Sequence, residues 1–561
     1  MTDTDGDVFP MSSAQRRLWF LHSLDPTGRA HATDRWFRVT GQLDTGALQG
    51  AVNALVARHE ALRTVFPDTV HGPVQHVRRA GRITVRDLEP AGEPGEAGAR
   101  RCAAAFLRRP FDIAAGPLLR IAVVPLAPGD RMLVLSLHLL AADGWSQHVL
   151  LEELGVLYRA ALSGASGRVP LAPPPVQYAD WAAWQRERLS SARRAGLLDW
   201  WRAELASAPL LLELAAEPGD DADPGPASPP GGGRIRHVLG TDLSAAVRDL
   251  ARTRRQTVFT VLLSACAVAL GHRAGRQRLL LGLAVANREQ REIQRVLGFF
   301  VDTVALHIDL TGDPAFDHLL TRVAGTVAAA HSHRDLPFDE LVAALAPPRS
   351  PLRSPVVQVN FAHHPAGSLG RLELPGCAVR EVPADSGPGK FELTIRVEES
   401  PDDGLVVWGE YGDDALREED VREVLAAYQE VLRAVTANPG CPLSGLLGVP
   451  VKRARARRSN PPPTPPPPCP AGSALERSVA RIFGEAVGAA EPGPDQDFFA
   501  LGGNSAQLAG VLRRLRGELG IPLTLRELYA APTPAAVAAR HPASGGDPAP
   551  AAPAEPGTHL T

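Results

Sequence analysis

The chain has 561 residues, of which 44% are hydrophobic and 22% are charged, so it contains enough apolar side chains for several cores and too little charge for a wholly disordered chain. At roughly 100–200 residues per domain, this length predicts about three to five compact units. A formal net charge of −3 argues against a dedicated nucleic-acid-binding protein, and the five widely spaced cysteines form no metal-ligand pattern. These features predict a cytoplasmic protein with no nucleic-acid partner and no metal site.

The first part of the chain alternates helical and strand patterns. Apolar spacing predicts helices and strands in an α/β arrangement. The helices are expected at 48–59, 149–162, 258–270 and 421–435, and the strands at 132–139, 279–285, 356–361 and 405–411.

Two breaks interrupt this alternation. Residues 217–234 are rich in glycine, proline and aspartate, and a basic cluster before PPPTPPPP occupies 451–470. Proline runs favour an extended, semi-rigid spacer, and we interpret the charges beside this one as solvated. No stretch approaches 18 uninterrupted apolar residues and the N-terminus lacks a signal core, so no membrane contact is expected.

After the proline run the pattern changes to short helices only. Helices are predicted at 475–487, 506–519, 525–529 and 534–540, which indicates a small four-helix bundle. Within it, D-F-F-x-L-G-G-x-S ends at Ser505, directly before an apolar-periodic helix. By itself a serine in that position is commonly an N-cap, although a helix N-terminus also favours a bound phosphate group.

This segment closely resembles the peptidyl carrier domains of nonribosomal peptide synthetases. The resemblance implies that Ser505 carries 4′-phosphopantetheine, attached by a phosphopantetheinyl transferase. Asn504 replaces the commoner His or Asp, and Ala506 replaces a larger aliphatic residue. These two departures bear on affinity for partners more than on modification.

Residues 8–447 resemble the condensation domains of the same synthetases. Six motifs follow in the family's order: SAQRRLW at 13–19, RHEALRTVF at 58–66, YADWAAWQ at 178–185, VANR at 285–288, GFFVDT at 298–303 and DLPF at 335–338. The resemblance implies two chloramphenicol-acetyltransferase-like lobes arranged in a V, with a tunnel in which an acceptor amine meets a donor thioester. The domain boundaries expected are an N-lobe at about 8–175, a C-lobe at about 235–447, a linker at 448–471, a carrier domain at 472–543 and a disordered tail at 544–561.

The expected catalytic motif is altered. The family pattern is H-H-x-x-x-D-G, and this chain reads His138-Leu139-Leu140-Ala141-Ala142-Asp143-Gly144. Leu139 stands where the family's catalytic or substrate-positioning histidine is placed, and a leucine side chain can neither accept nor donate a proton. By the resemblance, Asp143 pairs with Arg288 and braces the motif across the lobes. Gly144 is expected to permit a sharp turn into the next helix.

His138 and the adjacent pair His363 and His364 are weaker candidates for the base. His138 would point to the opposite face of its strand unless a bulge shifts the register, so a structural, hydrogen-bonded role is favoured. The adjacent His363 and His364 follow a predicted strand but lack the D-G sequence. His148 is expected on the helix surface. Asp143 is also compatible with an N-cap role.

Three functions therefore stay open. The first is amide bond formation between an amine and a carrier-bound acyl or peptidyl thioester, with an upstream donor carrier protein as partner. The second is a catalytically silent platform that presents the carrier-bound intermediate to a tailoring enzyme such as an oxygenase. The third is ester formation or hydrolysis. No segment resembles an adenylation domain, so an adenylation enzyme acting in trans is an expected partner.

Overall fold

The computed structural model describes residues 6–69, 71–90, 95–164, 171–214, 232–345, 347, 354–368, 370–384, 391–400, 402–412, 416–446, 473–489, 492–503 and 505–540. The chain divides into two compact units, Met1–Asn460 and Pro461–Thr561, and each is considered by itself. The expected linker at 448–471, the expected tail at 544–561 and most of the break at 217–234 lie outside the described residues.

The first unit is α/β throughout. Its strands are β1 (Gly6–Phe9), β2 (Ala32–Gly41), β3 (Thr64–Val65), β4 (Asp68–Thr69), β5 (Gly72–Pro73), β6 (Gln75–Arg78), β7 (Val85–Asp87), β8 (Leu119–Ala127), β9 (Asp130–His138), β10 (Gly233–Gly240), β11 (Arg278–Val285), β12 (Asp302–Asp309), β13 (Val359–His364), β14 (Cys377–Val382), β15 (Leu393–Ser400) and β16 (Gly404–Tyr411). Its α-helices are α1 (Ser13–Leu24), α2 (Thr45–Arg58), α3 (Glu96–Leu107), α4 (Gly144–Leu162), α5 (Tyr178–Arg188), α6 (Ser191–Leu205), α7 (Thr241–Thr253), α8 (Val258–Ala274), α9 (Phe316–Ser332), α10 (Phe338–Leu345) and α11 (Glu418–Ala437).

The first large sheet has the order β14-β2-β9-β8-β7. Its central strand β9 is apolar at every position from Met132 to Leu135 because both faces are covered. Met132 and Val134 pack on the α3 side, whereas Leu133, Leu135 and Leu137 pack with α2 and α4 on the other. Adjacent strand residues point to opposite faces, so the two helical layers contact alternate residues of the same strand.

The second large sheet has the order β10-β16-β15-β13-β11-β12. The buried helix α8 lies against it, and all but three of its residues are buried. The side chain of Thr257 accepts a hydrogen bond from the backbone of Thr260 at 3.0 Å and caps its N-terminus, and Gly275 ends it with a φ of 62°. A positive φ at a C-terminal glycine is the usual helix stop.

Strand β14 joins the two halves of this unit. It follows β13 in the chain, yet it pairs antiparallel with β2, from Cys377 opposite Gly41 to Val382 opposite Trp36. Arg35 of β2 also donates to both carboxylate oxygens of Glu381, at 2.6 and 2.7 Å. A segment of the C-terminal half therefore completes the sheet of the N-terminal half.

Most predicted elements of this unit lie where the sequence patterns placed them. The apolar pattern predicts a strand that ends at Leu139, but β9 ends at His138. Another is predicted at 356–361, whereas β13 runs from Val359 to His364. Val356 has a φ of 67°, which is incompatible with strand backbone and delays the start.

The described part of the second unit contains four helices, as the sequence predicts: α12 (Ala474–Val487), α13 (Ser505–Leu519), α14 (Leu525–Ala530) and α15 (Pro534–Ala539). Ser473 and Glu476 form a reciprocal capping box at the start of α12, and Thr524 and Glu527 form another at the start of α14. Within the described part of the whole chain, no single helix is long and apolar enough to cross a membrane. The pair α7–α8 meets that test by composition but is bent by 110°.

Candidate functional site

Asp143 is the N-cap of α4 and is almost completely buried. Its Oδ1 accepts a hydrogen bond from the backbone N–H of Ser146 at 2.8 Å, and its Oδ2 accepts one from the backbone N–H of Phe300 at 3.0 Å. Its own N–H donates to the carbonyl of Gly298 at 3.0 Å. The carboxylate therefore both begins a helix and binds a loop about 155 residues further along the chain.

Arg288 completes this arrangement from the C-terminal half. Its Nη2 lies 3.1 Å from Asp143 Oδ1, and the two side chains are 1% and 3% exposed. Its Nη1 donates to the carbonyls of Ile293 and Val296 at 2.9 and 2.7 Å, and its guanidinium lies 4.0 Å from the centre of the Phe300 ring. Burial lowers the pKa of Arg288, whereas Asp143 acts to raise it. A buried pair with this many partners fixes geometry, because loss of either member strands the other charge.

The hydroxyl of Ser146 links the same three segments. It lies 2.8 Å from both Asp143 Oδ1 and the carbonyl of Gly298, and it accepts from Arg288 Nη2 at 2.7 Å. The backbone N–H of Gly298 reaches it at 3.1 Å. We name Asp143, Ser146, Arg288, Gly298 and Phe300 the motif brace. No sequence pattern indicates Ser146, because it lies outside the family motif.

Leu139 lies between β9 and this brace. Its side chain is 4% exposed, and its backbone N–H donates to the carbonyl of His31 at 2.9 Å. The N–H groups of Ala141 and Ala142 then donate to the carbonyls of His138 and Leu139 at 3.0 and 3.2 Å. The motif residues thus form a tight, buried and apolar turn in which position 139 offers no titratable group.

His138 is buried, and both of its ring nitrogens have polar partners. It is 2% exposed, its Nδ1 accepts from the backbone N–H of Leu140 at 3.2 Å, and its Nε2 lies 3.4 Å from His22 Nδ1. An accepting Nδ1 identifies the tautomer with the proton on Nε2, so both ring nitrogens are engaged. The register of β9 with β2 runs unshifted to Ala32 opposite His138, so no bulge turns this ring to the other face. The partner His22 is not recognisable from sequence, because it lies on α1.

The remaining histidine candidates lie elsewhere. His363 and His364 are the last residues of β13, not part of a following loop, and pair with Val397 and Glu398 of β15. His363 Nε2 lies 3.3 Å from Glu399 Oε1, and burial lowers the pKa of His364 to about 4. His148 is half-buried rather than on the surface, with Nε2 3.1 Å from Glu152.

Gly144 does not have the expected conformational role. It is exposed, its φ is not positive, and a Cβ placed on it would meet nothing within 4 Å. The prediction that the turn into α4 requires glycine is therefore wrong. The turn is made by the side chain of Asp143 instead.

Hydrogen bonds, packing and backbone conformation account for the residue types in the carrier motif. Asp497 Oδ1 accepts from the backbone N–H groups of Phe499 and Ala500 at 2.7 and 3.2 Å, which starts a turn. Phe498 is fully buried, and a Cβ on Gly503 would lie 2.3 Å from its ring. Gly502 has a φ of 92°, which favours glycine. These constraints place Ser505 at the first position of α13, where helix N–H groups suit a phosphodiester. Asn504 lies outside the described residues.

No group of three or more His, Cys, Asp or Glu side chains in the described ranges is arranged to hold a metal ion.

Comparison with known proteins identifies both units. The family model described as "Condensation domain" matches residues 6–455, and the one described as "Phosphopantetheine attachment site" matches 476–540. The chain belongs to the condensation domain family of nonribosomal peptide synthetases and has a carrier domain after it. Such a carrier domain bears 4′-phosphopantetheine on a serine.

Similar proteins include malpinin synthetase of Mortierella alpina, 37% identical over 72% of this chain and 5% of that protein. Chondramide synthase of Chondromyces crocatus is 36% identical over 78% of this chain and 11% of its own length. Phosphinothricin tripeptide synthetase PhsB of Streptomyces viridochromogenes is 36% identical over 74% of this chain and 35% of its own length. The chain thus spans well under half of each of these relatives.

Solved structures share the fold. The X-domain in its complex with OxyB from teicoplanin biosynthesis matches with a TM-score of 0.68 and 25% identity, over 78% of this chain and 96% of that one. The first condensation domain of the calcium-dependent antibiotic synthetase matches with a TM-score of 0.66 and 19% identity, over 79% of this chain and 100% of that one.

Proposed function

We propose that this chain forms an amide bond between an acceptor amine and a thioester presented by an upstream carrier protein, and that the arm on Ser505 holds an intermediate of this synthesis. The observation that carries the proposal is the motif brace. Asp143 and Arg288 are both buried and paired, and Ser146, Gly298 and Phe300 complete their hydrogen bonds. A buried ionic network is costly to build, and this one rigidly positions the turn that carries position 139.

Such a site accelerates the reaction mainly by positioning the two reactants. Holding an amine and a thioester in reacting geometry supplies roughly 7–11 kcal/mol in favourable cases, whereas a general base adds about 10²–10⁴-fold in rate. Leu139 stands in place of the histidine that is normally expected to act as the base, but the motif brace is retained. A neutral amine can attack a thioester without further activation, so the geometry supports slow or differently assisted condensation.

A second candidate is a silent platform that presents the carrier-bound intermediate to a tailoring oxygenase. It is favoured by the likeness to the X-domain solved in complex with OxyB, together with the buried, apolar Leu139. The docking surface of that complex would then have a counterpart on this chain, and the tunnel would carry no reaction.

Intact-protein mass spectrometry separates the two. The full chain is converted to its phosphopantetheine form, loaded with an aminoacyl group, and incubated with a panel of acyl thioesters on separate carrier proteins. An adenylation enzyme acting in trans would perform the loading in the cell. Condensation adds the mass of the donor acyl group to this chain, and Ser505→Ala should show no gain.

Leu139→His is the decisive variant. A gain in the unmodified chain supports condensation without the usual histidine. A mass gain in Leu139→His but not in the unmodified chain indicates a tunnel that accommodates both reactants but lacks the catalytic side chain. This result favours the platform, whose binding to an oxygenase is then measured directly. The melting temperature of Leu139→His controls for the cost of placing an imidazole in a buried apolar site.

A further inference from the structure

A cleft lies beside the motif brace, between α5, the loop after β11 and the beginning of β12. Its lining includes Trp181, Trp184, Asn287, Asp302, Arg334 and Asp335. Its volume is about 60 Å³, which is room for water or a small polar group. A cleft of this size accepts a small polar group, such as an amine with one water, against a wall that contains two indole rings.

Asp302 is one of three carboxylates in that wall, and the other two, Glu289 and Asp335, are paired with arginines. Asp302 is the first residue of β12 and follows Phe300, which binds Asp143, by two positions. Both Asp143 and Asp302 influence the pKa of Tyr178, which their charges raise further after burial. Asp302 therefore lies near the same buried tyrosine as Asp143 of the motif brace.

The carboxylate of Asp302 is oriented by the backbone. Its Oδ1 accepts from the N–H of Thr303 at 2.7 Å, and its Oδ2 accepts from the N–H of Phe338 at 3.2 Å. Two main-chain donors fix the group while each oxygen keeps a lone pair. A positioned carboxylate with spare lone pairs on the wall of a cleft has the geometry of a proton acceptor.

The charges around Asp302 are mixed. Burial raises the pKa of Asp302 to about 6, and the charge of Asp339 on α10 acts in the same direction, whereas Arg17 and the backbone N–H groups of Thr303 and Phe338 act to lower it. Arg17 belongs to α1 and lies 4.5 Å above the Phe338 ring. Charged groups also face the cleft from α5, the first turn of α6, the loop after β11 and the segment before α10: Arg188, Arg193, Glu289, Arg334 and Asp335. A base is most effective when its pKa lies near the working pH.

We propose that Asp302 accepts the proton of the acceptor amine and so replaces the base that Leu139 removes. This inference rests on the proposed condensation function. The amine nitrogen forms a bond to the thioester carbonyl carbon, the carbon–sulfur bond breaks, and the nitrogen loses one proton to Asp302. That proton then passes to the departing thiolate, so an amine and a thioester give an amide and a thiol with no further reactant.

The test compares Asp302→Asn with Asp339→Asn in the loaded full chain, by single-turnover rates over a pH series. Asp339 is the matched control because it lies near the same Arg17 but not among the residues that line the cleft. Asp302→Asn should lower the rate by about 10²-fold or more with little change in the donor concentration for half-maximal rate. It should also abolish the inflection near pH 6, whereas Asp339→Asn should retain an inflection, moved to lower pH because the charge of Asp339 raises the pKa of Asp302.

A second variant protects the test from a folding defect. Asp302→Ala should be similarly slow and should regain rate with added formate, a small carboxylate that fits the space vacated; a structural role would show no such rescue. Equal rates and equal pH profiles for Asp302→Asn and the unmodified chain would overturn the inference while leaving condensation intact. Absence of any amide product from the unmodified chain would overturn the proposed function and this inference with it.

Discussion

The backbone of Gly298 lies directly against the ring of Tyr178: a Cβ added to Gly298 would fall 1.9 Å from Tyr178 Cδ2. Tyr178 is fully buried and donates to the carbonyl of Phe299 at 2.6 Å, so the ring cannot move away without losing that bond. The first turn of α5 and the loop of the motif brace can therefore lie in contact because residue 298 has no side chain.

Gly298→Ala should destabilise the first unit by about 1–3 kcal/mol or more, because it overpacks a well-filled site. The measurement is urea unfolding of the full chain. Gly325→Ala on α9 is the control, because a Cβ there meets nothing within 4 Å and alanine favours helix by about 0.5–1 kcal/mol. Equal stabilities of the two variants would contradict the packing argument.

Asp143→Ala should lower the free energy of unfolding by about 3–5 kcal/mol, since it leaves the buried guanidinium of Arg288 unpaired and removes the cap of α4. Thermal unfolding tests this. Glu418→Ala breaks an ion pair with Arg422 whose side chains are 56% and 61% exposed, and it should change stability by less than about 1 kcal/mol. An unchanged melting temperature for Asp143→Ala would refute the brace.

Glu153 gives a pH-dependent prediction. It is fully buried and accepts from Arg58 at 2.8 Å and contacts His59 at 2.7 Å. Burial acts to raise the pKa of Glu153, but His59 and Arg58 together outweigh it and lower the pKa below its ordinary 4.5. A depressed carboxyl pKa stabilises the fold above the ordinary value, and this contribution is lost as pH falls through the folded pKa.

The unmodified chain should therefore lose stability below about pH 4.5 more steeply than Glu153→Gln. Melting temperatures from pH 3 to pH 7 provide the comparison, and the amide should be less stable at neutral pH. Parallel curves for the two proteins would show that Glu153 does not contribute.

His138→Leu should separate structure from catalysis. It removes the acceptor of the Leu140 N–H, which costs about 1–3 kcal/mol when a buried donor is left unsatisfied, but it should leave the rate of amide formation within a few-fold. Single-turnover rates measured well below the melting temperature test this. A loss of 10²-fold or more would make His138 the base and contradict the role assigned from its two ring contacts.

Ser505→Ala should abolish the mass increase that coenzyme A and a phosphopantetheinyl transferase produce on the full chain. Ser478→Ala is the control in the same unit, where the hydroxyl bonds only locally to the carbonyl of Ala474 at 3.0 Å. Modification that persists in Ser505→Ala would place the attachment site elsewhere.

Local patterns along the chain were enough to predict the family, the α/β class, the four carrier helices and the loss of a base at position 139, because each depends on periodicity or on residue identity in a short motif. The identity of residue 139 as leucine is enough to exclude proton transfer by its side chain. Matters that depend on distant segments required the folded chain. The folded chain showed that Ser146 belongs to the motif brace and that His138 contacts His22. It also showed that the backbone conformation at residue 144 does not require glycine, and that β14 completes the first sheet. Burial and hydrogen bonding between segments far apart in the chain have no local signature, because the partner of a side chain is set by topology and not by spacing along the sequence.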